Sequence, residues 1–265
     1  MNKSIDRNEI LKKLYQKHRV SVTNDTVINE LDFVEYPKHT TAIYTLSKVQ
    51  NPDYVVIYTY GGHHPHIFYN SENGAVSELA EMQFTWEWMR YWLDNNVAIA
   101  IFDMPDYFKH SMFVPSFYRI TSDRMREAKQ VVELIASKFP NSKLAWHGLS
   151  FGAIEAAKIS LEDTQISKVI LSSATWHTLD DHDTYHQGVR LNWYNVEDAK
   201  VPVLIVQHQT EKFEYVTEQM TKTDSITVKN DVSQDDGHFF RGRQLQVVNA
   251  MCDWLRDNTI PKEIE

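Results

Sequence analysis

Residues 143–157 read KLAWHGLSFGAIEAA, and this stretch decides the fold. It begins as an apolar and aromatic run typical of a buried strand, and it ends as an alanine-rich run typical of a helix. Between the two stands Gly148-Leu149-Ser150-Phe151-Gly152, a G-x-S-x-G sequence. Glycines two residues either side of Ser150 leave room for the neighbouring strand and helix at a tight turn. The stretch therefore predicts a strand–turn–helix unit whose serine hydroxyl, a candidate nucleophile, projects from the turn.

Strand-like and helix-like runs alternate on both sides of this unit. Strands are expected at about 26–36, 41–48, 53–60, 97–102, 143–147, 168–172, 201–207 and 225–229. Helices are expected at about 5–18, 75–94, 121–139, 151–161, 212–221 and 242–257. Because helices supply the crossovers that parallel strands need, we predict an α/β fold with a doubly wound, mostly parallel sheet. We expect one domain over residues 1–265, with an N-terminal helix within 1–20 and antiparallel strands within 20–50.

Composition limits the kinds of partner. The 265 residues carry a formal charge of −9, which disfavours contact with nucleic-acid phosphates or an anionic membrane, and 42% of them are hydrophobic, enough for a large core. The one cysteine, Cys252, cannot form an internal disulfide. The sequence has neither a signal-peptide core nor an apolar run long enough to span a membrane. We therefore expect a cytoplasmic protein with a small-molecule partner and no nucleic-acid or membrane partner; the oligomeric state stays open.

A serine hydroxyl needs a base to act as a nucleophile at neutral pH. His238 follows a predicted strand, and a loop there would lie over the carboxyl edge of the sheet, where Ser150 also emerges. The base needs a carboxylate partner, and Glu211 follows the strand 201–207 after a short turn. The other carboxylates that could serve are Glu214 in the same loop and, after the preceding strand, Asp180, Asp181 and Asp183. Glu211 is the first candidate, and the preceding strand end stays open.

The oxyanion of an acyl-transfer reaction needs two backbone N–H donors. Phe151, directly after the candidate nucleophile, is expected to supply the first. The second is expected from the loop after the strand 53–60, where the pair Gly61-Gly62 permits close approach of the backbone. We select Gly62 for this role, with His63 as the next choice.

Histidine-rich and aromatic segments fall on the other predicted edge loops. Residues 63–66 and 177–186 contain imidazoles, and the second segment also contains carboxylates, but neither has the spacing of a helical or CxxC-type metal site. We therefore expect no metal and no cofactor. These loops either contact a polar or anionic substrate or carry plain solvated side chains. The candidate substrate-binding residues are His63, Tyr107 and Trp176.

In these features the chain resembles the α/β-hydrolase superfamily from about residue 53 to its C-terminus. The resemblance is most specific at Gly148–Gly152 and at Gly237-His238. It implies an eight-stranded, mostly parallel sheet with little or no lid domain. It also implies the catalytic order Ser150, Glu211, His238, and acyl transfer through an acyl-enzyme.

The chain departs from the pattern of that superfamily in three places. Tyr60-Gly61 stands where the superfamily often has His-Gly, and Glu211 stands where an aspartate is usual. His208 stands near the acid, at a position where glycine is usual.

Together these residues predict a serine hydrolase that cleaves a carboxylic ester of a small or medium acyl or aryl substrate. A thioesterase or acyltransferase acting on an acyl carrier or coenzyme A is the alternative within catalysis, because the connection between the strands near 170 and 203 leaves little room for a lid. A non-catalytic ligand-binding protein on a hydrolase scaffold is the alternative of another class, since fold does not determine function.

Overall fold

The computed structural model describes residues 27–36, 39–61, 69–70, 76–77, 82–105, 118–119, 121–162, 164–174, 196, 198–211 and 223–265. Within them lie a nine-stranded sheet, a small two-stranded sheet and five helices. The strands of the large sheet are β1 (Ile28–Tyr36), β2 (His39–Ser47), β3 (Tyr54–Thr59), β6 (Ala98–Pro105), β7 (Lys143–Leu149), β8 (Ile166–Ser172), β9 (Val203–His208), β10 (Asp224–Val228) and β11 (Glu263–Ile264). The small sheet pairs β4 (Tyr69–Asn70) with β5 (Val76–Ser77). The helices are α1 (Met82–Asp94), α2 (Ser122–Lys138), α3 (Phe151–Leu161), α4 (Gln234–His238) and α5 (Gln244–Asp257).

The large sheet has the strand order β1-β2-β6-β3-β7-β8-β9-β10-β11. Strand β2 is antiparallel to both of its neighbours, and every other adjacent pair in this sheet is parallel. The prediction of a mostly parallel sheet opened by an antiparallel pair is therefore confirmed. The eight expected strands are present, and the ninth, β11, adds two residues beside β10 at the opposite edge.

Two expectations about individual elements are wrong. The helix expected over 75–94 begins only at Met82, because Val76–Ser77 forms β5 and pairs with β4. The sequence itself carries a signal against a helix at that point, because the dipeptide Asn73-Gly74 favours a turn. His238, expected on a loop, is the last residue of α4, the short helix that the side chain of Ser233 caps. The helices expected at 5–18 and 212–221 lie outside the described residues.

Helices cover both faces of the large sheet, and its side chains alternate between them. In β3, Tyr54, Val56 and Tyr58 pack in the same cluster as α1 and α5. Val55 and Ile57 point the other way and pack in the same cluster as α2 and α3. All of these β3 side chains are buried, which explains why the strand reads as a continuous apolar run.

A buried group of charges connects α2 to α3, the helix that follows Ser150. Arg124 Nε lies 3.0 Å from Glu155 Oε1, and its Nη1 donates to Glu127 Oε2 at 3.0 Å. Arg119 Nη1 lies 3.5 Å from Glu155 Oε2. All four side chains are at most 2% exposed, so each charge depends on its partners for the interactions it has lost with water.

His147 of β7 lies in the core three residues before Ser150. Its ring centroid is 5.1 Å from that of Tyr58, 5.4 Å from that of Trp88 and 5.8 Å from that of Trp92. Its Nε2 lies 2.9 Å from Ser172 Oγ, and no group in the described part of the chain hydrogen-bonds its Nδ1. Burial lowers the pKa of His147 from 6.5 to about 3, because the charged ring would lose its hydration. His147 is therefore a neutral core residue.

Candidate active site

Ser150 occupies a strained turn between β7 and α3. Its φ of 54° and ψ of −121° lie where a residue with a side chain is rarely found. The backbone is held on both sides of the turn: Ser150 N donates to Ser172 O at 2.9 Å, and Ser150 O accepts from Ala153 N at 3.0 Å. The side chain stands at the end of a buried strand and at the start of a helix whose N-terminal dipole end is positive. Such a site favours negative charge that develops beside the serine.

The glycines around the turn are required by close backbone contacts. A Cβ on Gly148 would lie 2.2 Å from Gly152 O, and a Cβ on Gly152 would lie 2.1 Å from Thr59 O. A Cβ on Gly61 would lie 2.4 Å from the Cβ of Ser150. The chain that leaves β3 at residue 61 therefore passes directly against the side chain of Ser150.

His238 and Glu211 are hydrogen-bonded to each other. The Nδ1–H of His238 donates to Glu211 Oε1 at 2.7 Å; the carboxylate can only accept, so the proton is assigned to Nδ1. The side chain of Glu211 is 4% exposed, whereas that of His238 is 25% exposed. The acid is therefore shielded, and the imidazole that it orients can still be reached from outside.

The end of β8 holds both the serine turn and the histidine segment. Ser172 O accepts from Ser150 N at 2.9 Å, and the next residue, Ser173, donates its Oγ–H to His238 O at 2.7 Å. Ser173 has a φ of 46°, so the chain turns sharply there. Two consecutive residues thus anchor the backbones of Ser150 and His238 at one end of the sheet.

Glu211 lies in a tight turn after β9. Its N–H donates to His208 O at 2.9 Å, and its Oε2 accepts from His208 N at 3.1 Å. Both carboxylate oxygens of Glu211 therefore have a donor: His208 N–H for Oε2 and the His238 ring for Oε1. The alternative acids, Glu214, Asp180, Asp181 and Asp183, lie outside the described residues.

The expected oxyanion donors are only partly described. Phe151 is the first residue of α3, where a backbone N–H points out of the helix end rather than along its hydrogen-bond ladder. Gly62 and His63 lie outside the described residues, but Gly61, which precedes them, abuts Ser150. The remaining substrate-binding candidates, Tyr107 and Trp176, also lie outside the described part.

Polar contacts near the site involve further residues that the motifs of the sequence do not single out. Tyr60 donates its hydroxyl to Asp103 Oδ1 at 2.7 Å, directly before Gly61. Burial and, after it, the Asp103 carboxylate raise the pKa of Tyr60 well above 10.0, so this phenol stays protonated. Ser173 and His208 also lie near the site. No local pattern places Ser173 there, whereas His208 carries one signal in the sequence, because it stands where glycine is usual.

The described residues contain neither a candidate metal site nor a helix that could span a membrane. In this part of the chain, no group of three or more His, Cys, Asp or Glu side chains is arranged to hold an ion. Every helix described here is too short or too polar to cross a bilayer.

Comparisons with known proteins identify the fold. No protein-family model matches the chain, and no curated protein matches its sequence. Among solved structures, the 2,6-dihydroxy-pseudo-oxynicotine hydrolase is similar with a TM-score of 0.62 and 15% identity, over 96% of this chain and 75% of its own. Brefeldin A esterase, a bacterial homologue of human hormone-sensitive lipase, is similar with a TM-score of 0.62 and 11% identity, over 96% of this chain and 87% of its own. XC6422 from Xanthomonas campestris, an α/β serine hydrolase without a lid, is similar with a TM-score of 0.56 and 12% identity, over 89% of this chain and 98% of its own.

Proposed function

We propose that this chain, which has the α/β-hydrolase fold, is a serine hydrolase that cleaves carboxylic esters of small or medium acyl or aryl compounds. The hydrogen bond between His238 and Glu211 carries the proposal. A buried carboxylate that orients an imidazole, at the sheet end where a serine stands on a strained turn, is the arrangement that activates a hydroxyl for acyl transfer.

In the first half of the proposed reaction, Ser150 Oγ attacks the ester carbonyl while His238 accepts the hydroxyl proton. Because Nδ1 already donates to Glu211, Nε2 is the nitrogen that receives this proton. The Glu211 carboxylate stabilises the imidazolium that forms. His238 then returns the proton to the leaving alkoxide, which departs as an alcohol and leaves an acyl-enzyme.

The second half reverses these roles with water as the nucleophile. His238 removes a proton from water as the water oxygen attacks the acyl carbonyl. His238 then returns this proton to Ser150 Oγ, which leaves as the free hydroxyl while the acid product is released. The N–H of Phe151 and the N–H of Gly62 are the proposed donors to the oxyanion in both halves. The close approach of Gly61 to Ser150 supports a donor from the next residue of that loop.

Labelling with a fluorophosphonate tests the nucleophile and its base without requiring the natural substrate. The wild type should form one covalent adduct, located on the peptide that contains Ser150, and both Ser150→Ala and His238→Ala should abolish it. Glu211→Ala should lower the labelling rate by about 10⁴-fold, as expected for loss of a triad acid. Ser160→Ala removes another buried serine hydroxyl, one that donates to Ala157 O within α3, and should label at the wild-type rate. A wild type that binds esters without labelling would instead support a ligand-binding protein.

A substrate panel tests the ester assignment separately. Oxygen esters of graded acyl length and leaving group, together with matched acyl-coenzyme A thioesters, should be compared by kcat/KM. We expect the oxygen esters to be the better substrates, and Ser150→Ala to remove both activities. A consistent preference for the thioesters would overturn the ester assignment while retaining the nucleophile.

A further inference from the structure

We propose that His208 is a positioning residue that keeps Glu211 and His238 hydrogen-bonded to each other; this inference rests on the proposed hydrolase function. His208 is the last residue of β9 and is fully buried. It does not bond to the side chain of His238, so its effect on the reaction would be exerted through the acid and through the segment that carries the base.

On one side, His208 defines the turn that presents the acid. Its N–H donates to Glu211 Oε2 at 3.1 Å, and its carbonyl accepts from Glu211 N. The ring closes the same turn, because its Nδ1 accepts from Thr210 N at 3.2 Å and lies 2.7 Å from Thr210 Oγ1. Since Nδ1 is an acceptor here, the single proton of the neutral ring belongs on Nε2.

On its other side, the ring reaches the segment that carries the base. Its Nε2 lies 2.5 Å from Asn230 Oδ1, the acceptor that the assigned tautomer requires. The Asn230 amide in turn donates to Arg241 O at 2.8 Å, just beyond α4. His208 thus connects the turn that holds the acid to the chain on both sides of α4, which ends at His238.

Gly237 is the counterpart of this ring. A Cβ at Gly237 would lie 2.3 Å from Nδ1 and 2.7 Å from Cε1 of His208, so the backbone directly before His238 packs closely against the imidazole. A smaller residue at position 208 would leave the space beside Gly237 unfilled, and a larger residue at position 237 would displace the ring of His208. The histidine and the glycine are therefore complementary, and together they set the separation of the acid from the base.

A double-mutant cycle distinguishes positioning from a general loss of stability. The readout is the second-order rate constant for fluorophosphonate labelling of the full chain. His208→Ala should lower it roughly tenfold to a hundredfold, the effect expected of a slightly misplaced catalytic group. In a Glu211→Ala background the hydrogen bond between residue 211 and His238 is already absent. There His208→Ala should change the labelling rate constant by less than about twofold.

The matched control is Trp254→Phe, which removes the hydrogen bond from Trp254 Nε1 to Asp224 at the opposite end of β10. Trp254→Phe should change the labelling rate constant only slightly, and its effect on the free energy of activation should add to that of His208→Ala. His208→Asn, which retains an acceptor near Thr210 but cannot reach Asn230, should fall between the wild type and His208→Ala. Gly237→Ala, which displaces the ring without removing it, should reproduce the loss.

A spectroscopic signature tests the inference independently of the labelling rate. The proton between His238 Nδ1 and Glu211 should give a far-downfield NMR resonance that is absent from Glu211→Ala and weakened or lost in His208→Ala. An unchanged resonance in His208→Ala, or full additivity in the cycle, would overturn the positioning role while the serine hydrolase proposal stands. A wild type that does not label at Ser150 would overturn the hydrolase proposal, and the inference with it.

Discussion

Acid should destabilise this protein through His147, and His147→Phe should remove that part of the pH dependence. The pKa of the buried ring is about 3 in the folded chain, below its ordinary value of 6.5. Between these values the unfolded chain binds a proton that the folded chain excludes. The contribution of the neutral ring to the free energy of unfolding is therefore complete above about pH 6.5, and it is lost as the pH falls from there toward about 3.

The magnitude follows from the two pKa values. At about pH 5 the unfolded ring is almost fully protonated and the folded ring is almost fully neutral, so the loss relative to about pH 7.5 is roughly 2 kcal/mol. For a chain of this size that corresponds to a fall in Tm of about 4 °C. Other groups also titrate in this range, so the comparison between variants isolates the contribution of this ring.

Urea unfolding at about pH 7.5 and about pH 5 measures the effect. The wild type should lose roughly 2 kcal/mol more stability between these two conditions than His147→Phe does, because phenylalanine fills the same aromatic surroundings without a proton. Ser172→Ala is the control, since it removes the hydrogen-bond partner of Nε2 but leaves the titrating ring, and it should keep the wild-type pH dependence. Equal pH dependences in the wild type and His147→Phe would refute the reasoning.

Three further substitutions test other parts of the structure. Glu155→Ala should lower the free energy of unfolding by about 3–5 kcal/mol, because it leaves the buried Arg124 without one of its carboxylates; urea unfolding measures this, and a loss below about 1 kcal/mol would contradict it. Lys168→Met removes an ammonium that bonds three oxygens at the C-terminal end of α5. It should lower the free energy of unfolding by about 1–3 kcal/mol in the same assay, and an unchanged urea midpoint would count against that contact. Gly61→Ala should slow fluorophosphonate labelling about a hundredfold, since its Cβ would displace Ser150, whereas a wild-type rate would show that the loop has room to move away.

Local patterns predicted much of the fold because periodicity and turn residues act over short distances. The continuous apolar run of β3 indicated a strand covered on both faces, and α3 has the limits that its sequence indicated. The predictions from periodicity failed where a contact with another segment competed with them. Val76–Ser77 pairs with β4 instead of extending α1, and a side-chain cap with close packing on His208 turns an expected loop into α4.

The candidate site, too, was predictable from local sequence only in part. The G-x-S-x-G spacing by itself indicated a strained serine turn, because two glycines at that spacing are a steric requirement of the bend, and Ser150 has a φ of 54°. The contact between Glu211 and His238 depends on the order in which β8, β9 and β10 lie side by side and on the short bonds that fix their loops. Only the tertiary structure could determine that a histidine at position 208 and a glycine at position 237 fit together, because the two residues are brought into contact by chain segments whose sequences carry no common pattern.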